Sequence, residues 1–276
     1  MPTSRAVVLL GMHRSGTSAI SRGLAALGVH VGTDLFEAHP ENPTGYWEEK
    51  GIVDINERVL AALDLRWDST DAVDVSAFDR RRLRALQREA IRYCARTFAD
   101  RPLWGFKDPR TIRVLPFWQP VFAALGASDA YVVAVRHPRS VAASLFVRQE
   151  MPEETAYLLW LRHNVPFLSL LLAKPVVVVD YDRTMREPQV QLERIAERLR
   201  LPAPDPQELQ GFGSEFLDER LRHTTFDPGE SLGHTPMARL ASDAYQQLHA
   251  ASADRRSPYA GAFWRDWERI TAALPV

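Results

Sequence analysis

Cysteine is nearly absent from this chain of 276 residues, where Cys94 stands alone. A single thiol excludes an intrachain disulfide and a cysteine-built metal cluster. Its position in a helical apolar pattern assigns it to packing. Lysine is scarce too, with Lys50, Lys107 and Lys174 among 34 basic residues, so each lysine marks a place where arginine was not used. Net charge is absent in effect, at −1, which removes a global attraction to nucleic acid or anionic membrane. Anion binding must then come from cations placed locally. No apolar run is long enough for a membrane span: PFLSLLLAKPVVVVD is interrupted by Lys174-Pro175 and reads as helix then strand. The apolar part of MPTSRAVVLLG is too short for a secretory signal. No G-x-G-x-x-G follows the first apolar run, which argues against a dinucleotide oxidoreductase. Repeats and low-complexity linkers are missing as well. These absences lead us to expect a soluble cytoplasmic protein, residues 1–276 forming one domain, with no nucleic-acid partner and no integral membrane contact.

What is present begins with AVVLLGMHRSGTS, residues 6–18. Ala6–Leu10 reads as a buried strand, Gly11 and Gly16 frame a loop, and an apolar-periodic helix follows to Leu27. Strand, glycine loop and helix together aim backbone N–H groups and the positive helix end at a phosphate. ATP-binding loops read G-x-x-x-x-G-K-[ST]. Here Thr17 occupies the lysine position, and the cation comes earlier, at Arg14.

Three further apolar runs read as strands: Leu103–Phe106, Tyr131–Val135 and Pro175–Val179. Helical patterns alternate with them, which predicts a mainly parallel sheet flanked by helices on both faces. Helices are expected over roughly Ser76–Phe98, Met151–Ala173, Glu187–Arg200, Arg239–Ala250 and Tyr259–Leu274. The arginines of the first are read as a solvated face with carboxylate pairs, and Trp264 and Trp267 are expected to dock the last onto the core. Phe226–Pro236 reads as a surface loop.

Ligands of parallel α/β sheets bind beyond the carboxyl ends of the strands. The segments placed there are GMHRSGTS, then GFKDPRT (105–111), RHPRSVAAS (136–144) and DYDRTMREP (180–188). Three of the four strand ends present a cation: Arg14, Lys107 or Arg136. Such convergence suits a ligand with several negative groups. Arg136 leaves its strand, Pro138 sits where a helix can begin, and Ser144 falls two turns along that helix.

Taken together, these residues resemble the sulfotransferases that use 3′-phosphoadenosine 5′-phosphosulfate (PAPS). HRSGTS, residues 13–18, is similar to the family's 5′-phosphosulfate loop, and Arg136, Pro138 and Ser144 match its R-x-P-x-x-x-x-x-S element for the 3′-phosphate. Lys107-Asp108-Pro109 looks like the K-D-P segment of the Golgi-type branch, and NPTGYWE (42–48) like an element of bacterial and carbohydrate-type members. The segment from Asp180 is similar to the family's strand, acidic turn and helix. The resemblance covers about residues 6–200.

It implies a three-layer, P-loop-like α/β fold and in-line transfer of a sulfuryl group to a hydroxyl or amine of a small-molecule, carbohydrate or lipid acceptor. It implies that His13, Arg14, Ser15, Gly16, Thr17, Ser18, Arg136 and Ser144 hold the co-substrate. Arg14 and Lys107, with the N–H groups of residues 15–18, would stabilise charge on the bridging oxygen. A sulfuryl group carries less charge than a phosphoryl, so no metal is demanded. The general base is either Glu48, flanked by Tyr46 and Trp47, or Asp34, with Glu48 preferred. Tyr46, Trp47 and Trp67 are candidates for an acceptor pocket, and Trp118 for packing. Arg220, Arg222 and His223 match a late basic loop only loosely. The alternative is a P-loop kinase or NTPase using ATP and magnesium, for which Asp180 would supply the metal ligand.

Overall fold

The computed structural model describes residues 4–39, 42, 44–213 and 224–275. Arg220, Arg222 and His223 therefore lie outside the described residues. Among those described, β1 (Arg5–Leu10), β2 (Leu103–Lys107), β3 (Ser128–Val135) and β4 (Val176–Asp180) form one parallel sheet in the order β2-β1-β3-β4. All four expected strands are present. Their side chains are apolar on both sides because both faces are covered. Val7 and Leu9 point into one layer and Ala6, Val8 and Leu10 into the other, all fully buried.

The first layer comprises α1 (Thr17–Ala26), α8 (Pro188–Leu199) and α9 (Pro206–Gly211), whose Ile20, Leu24, Leu192, Ile195 and Leu209 meet the sheet. The opposite layer contains α2 (Lys50–Ala62), α3 (Arg81–Thr97), α4 (Leu115–Ala124) and α6 (Glu153–Asn164). It is completed by α10 (Pro236–Ser252) and α11 (Gly261–Ala272). This is the expected three-layer α/β arrangement. The connection after β1 leads to β2 at one edge, whereas that after β3 leads to β4 at the other. The strand order thus reverses between β1 and β3, and a crevice opens at their carboxyl ends.

Several helical segments depart from the sequence pattern. The single helix expected from Ser76 is a 3₁₀ turn, Val75–Asp79, followed by α3, with Arg80 extended between them. Asp74 accepts the Ser76 N–H and closes a local turn that competes with an α-helical start. The helix expected from Met151 to Ala173 stops at Asn164, and Leu168–Leu171 is a separate 3₁₀ turn. Pro166 has no N–H to continue the ladder. α2 has no counterpart among the expected helices, although its buried Ile52, Ile55, Val59 and Leu60 follow helical spacing. α10 begins earlier than the pattern indicates, with Pro236 as its first residue and the Thr235 hydroxyl accepting the Ala238 N–H.

Cys94 is buried in α3, and burial pushes its thiol up to about 12, in keeping with a packing role. Trp267 docks α11 as expected, its indole N–H reaching the Val165 carbonyl at 3.3 Å, while Trp264 is only half-buried. Among the described residues no helix is long and apolar enough to cross a membrane.

Candidate active site

The loop after β1 turns on two left-handed residues, Arg14 (φ 67°) and Gly16 (φ 75°). Gly16 sits at the N-cap of α1, which no side chain caps, so the first-turn N–H groups are left to face a ligand. Only glycine fits there: a Cβ on Gly16 would come within 1.9 Å of the Tyr181 ring. We expect Gly16→Ala to cost about 2–3 kcal/mol, from the positive φ and the ring overlap together. Urea denaturation measures this, and a loss of only about 1 kcal/mol, the share of the positive φ alone, would mean that Tyr181 is not fixed against the loop. The Ser15 hydroxyl is buried with no hydrogen-bond partner among the described residues.

Directly alongside, β3 delivers Arg136 and then α5 (Pro138–Gln149), which starts at Pro138 as expected. Its N-terminus also lacks a side-chain cap, and the Ser140 hydroxyl in its first turn is buried without a partner among the described residues. Arg136 is anchored rather than mobile. It donates to the Arg14 carbonyl at 3.2 Å and the Thr224 carbonyl at 3.0 Å, and its guanidinium lies 4.7 Å from the Tyr181 ring centroid. Arg14 Nε in turn donates to Ser144 Oγ at 2.7 Å. Arg14 thus meets Arg136 and Ser144, 122 and 130 residues further along the chain, at the switch point.

A second cluster stands beside the first. Lys107, at the end of β2, is buried, and its Nζ is 2.7 Å from Glu48 Oε1. The same Nζ reaches Ser18 Oγ at 3.3 Å, so the pair is tied to the first turn of α1. Asn42 also donates to Ser18 Oγ, and Ser18 donates to the Tyr46 carbonyl. Burial, reinforced by Asp108 and opposed by Lys107 and Arg110, holds the Glu48 carboxyl above the usual carboxylate range. A carboxylate so placed is a stronger base than an exposed one.

Next to Glu48 stands Glu49, which is not among the residues expected at the site. Glu49 is buried, and its Oε2 accepts the N–H groups of Thr33 (2.7 Å) and Asp34 (2.9 Å). Tyr93 donates to its other oxygen. The one sequence signal for it is an acidic residue at the start of an apolar-periodic stretch. With Glu49 turned inward, Asp34 is carried to the surface, where it pairs with Lys50 at 2.6 Å, both side chains largely exposed. Asp34 does not join the Glu48–Lys107 cluster.

Other candidates are placed as follows. Thr17 opens α1 and is buried beneath the loop. His13 lies against Trp67 at 4.5 Å and edge-on to His163 at 6.2 Å. Burial and the nearby Arg110, His163 and Lys107 charges keep it neutral, well below the usual imidazole range. Trp47 does not border Glu48's partner Lys107: its indole N–H bonds the Thr44 carbonyl and its ring packs with the α1 layer. Trp118 is fully buried and donates to Asn56, which also holds Asp108 and Thr111, so its packing role stands. Asp180 caps α7 (Tyr181–Arg186) by accepting the Arg183 N–H, and it also takes the Tyr245 hydroxyl. It is built into the fold rather than left open as a metal ligand.

Residues 6–205 match the sequence pattern of the Sulfotransferase family. Among solved structures, the chain is similar to the sulfotransferase domain from the curacin biosynthetic pathway, at 19% identity over 98% of this chain and 97% of that one, TM-score 0.46. It is also similar to the sulfotransferase domain of the Synechococcus PCC 7002 olefin synthase, at 18% identity over 99% and 96%, TM-score 0.47. No curated protein sequence matches it. The family pattern takes in β1 through α8 and every residue of both clusters, and on that match this chain belongs to the sulfotransferase family.

Proposed function

We propose that this protein transfers a sulfuryl group from PAPS to a hydroxyl or amine of a small-molecule, carbohydrate or lipid acceptor, by in-line displacement and in the cytoplasm. Lys107-Asp108-Pro109 and GYWE favour the bacterial, Golgi/carbohydrate-type branch of the family. One observation carries the reading. Two helix N-termini without side-chain caps, α1 and α5, stand at the carboxyl ends of adjacent strands, each with a buried hydroxyl that has no partner among the described residues, and Arg136 bonds the Arg14 carbonyl there. Two anion seats side by side suit a nucleotide with separate 5′ and 3′ charges, not the single chain of phosphates in ATP.

In this reading the α1 loop, residues 13–18, holds the 5′-phosphosulfate, and Arg136 with Ser144 holds the 3′-phosphate. The acceptor oxygen forms a bond to sulfur as the bond from sulfur to the 5′-phosphate oxygen breaks, leaving 3′,5′-ADP. The acceptor proton passes to Glu48. Charge that builds on the departing oxygen is met by Arg14 and Lys107. The 2.7 Å contact between Glu48 and Lys107 links the two events. As Glu48 is neutralised by the proton, its hold on the Lys107 ammonium weakens just when the leaving oxygen needs that charge.

Thermal melting with 3′,5′-ADP, ADP and ATP, each with and without magnesium, tests the reading. A ligand at a thousand times its dissociation constant adds about 4 kcal/mol of stability. For a chain of this length that is a rise of about 7 °C. We expect it with 3′,5′-ADP, independent of magnesium. A rise with magnesium–ATP alone would overturn the proposal in favour of a kinase or NTPase.

A further inference from the structure

Two buried arginines serve no carboxylate among the described residues. Arg113 is fully buried, and its guanidinium donates to the backbone carbonyls of Ser69 (2.7 Å), Asp71 (2.9 Å) and Arg66 (3.3 Å). Arg162, also buried, donates to the Thr70 carbonyl at 2.7 Å and to the Pro275 carbonyl at 2.6 Å. Burying a cation is costly unless its donors are satisfied, and here almost all of that satisfaction comes from one short loop, residues 66–71. The loop is clamped from two sides. Arg113 belongs to the 3₁₀ turn Pro109–Val114 that follows Lys107-Asp108, and Arg162 belongs to α6 beside His163.

What the clamp presents is Trp67. Its indole is half-buried and packs 4.5 Å from the ring of His13, the residue before Arg14. The Nε2 atoms of His13 and His163 are both buried at this wall, without a partner among the described residues. The wall therefore combines one broad apolar face with hydrogen-bonding capacity at its edge, next to the catalytic cluster.

The geometry points to Trp67 as the platform for the acceptor, with Arg113 and Arg162 as positioning residues that fix it against His13. This rests on the sulfotransferase reading above and narrows its acceptor: a compound whose hydroxyl is carried at the edge of a flat ring that stacks on the indole. An aromatic ring and the apolar face of a sugar share that chemistry.

The test titrates the protein in two steps by calorimetry. The first measures 3′,5′-ADP. The second adds 2-naphthol, methyl β-D-glucopyranoside or hexan-1-ol to the protein saturated with 3′,5′-ADP. We expect at least one ring probe to bind tenfold or more tightly than hexan-1-ol, the better probe identifying the ring as aromatic or sugar. Trp67→Leu should weaken that probe at least tenfold and leave 3′,5′-ADP within twofold, whereas Trp67→Phe should stay within threefold. Arg113→Met, where it folds, should reproduce the Trp67→Leu loss. Arg113 is fully buried and its replacement endangers folding, so Trp67→Leu, at a half-buried site, decides the outcome. Ring probes that bind no better than hexan-1-ol, or equally well to Trp67→Leu, would overturn the inference. Failure of the wild-type protein to bind 3′,5′-ADP in the first step would instead overturn the reading it rests on.

Discussion

Replacing Lys107 by methionine is expected to lower kcat by about 10²–10³-fold, the loss seen when a donor to a developing oxyanion is removed. Methionine keeps the volume and removes the charge. The change has a second consequence, because the partner at 2.7 Å, Glu48, is itself only 12% exposed. A buried carboxylate stripped of its cation costs about 3–5 kcal/mol if it stays charged, and it avoids that cost by taking up a proton. The single variant should therefore melt early and hold Glu48 neutral. Adding Glu48→Gln should restore much of the melting temperature, since no charge is left stranded, but none of the activity. Recovery of turnover in the double variant would show that Lys107 serves folding alone. Steady-state kinetics beside a melting curve separates the two.

Glu48→Gln by itself is the second large effect. Loss of a general base typically costs about 10²–10⁴-fold, and binding of 3′,5′-ADP should survive because Glu48 is assigned no contact with the nucleotide. The pH profile makes the assignment specific. The reactive form of Glu48 is the carboxylate, so activity falls as pH drops through its pKa. Burial raises that pKa, so the acid limb of kcat/KM should lie above the ordinary carboxylate range of about 4.3. In Glu48→Gln the limb should vanish. A limb that persists would assign the base elsewhere, and Asp34→Asn, which breaks only a surface pair with Lys50, provides the control.

The strands and the phosphate loop are readable in the sequence because they depend on neighbours within a few residues. The unbroken apolar run Ala6–Leu10, the glycines at 11 and 16, and Pro138 at the start of α5 are local facts. The site's remaining parts are choices of distant partner. Glu48 and Asp34 are both candidate carboxylates in the sequence, Glu48 being preferred beside Tyr46 and Trp47. What separates them is the distant partner each finds: Lys107 for Glu48, and surface Lys50 for Asp34, whose backbone amide is held by Glu49. Nothing local marks Arg113 and Arg162 among so many arginines, since their acceptors are main-chain carbonyls 42–47 and 92 or more residues away. Adjacency in the sequence puts Trp47 beside Glu48, but its left-handed backbone (φ 57°) sends the ring to the α1 layer. The expectation of one long helix after Met151 gives apolar periodicity precedence over Pro166, and the proline prevails.

The family match ends at residue 205, yet α10 and α11 lie beyond it. Leu240, Ala244, Leu248, Phe263 and Trp267 belong to the same apolar cluster as Val133, Val178 and Trp160. Tyr245 of α10 bonds the Asp180 cap, and the residue after that cap, Tyr181, walls the loop at Gly16. The stretch that declares kinship is thus not the stretch that can stand alone. A fragment cut at the family boundary would bare the β3–β4 side of one sheet face to water and loosen the cradle from behind. Heredity and foldability draw different borders in this chain, and the active site leans on both.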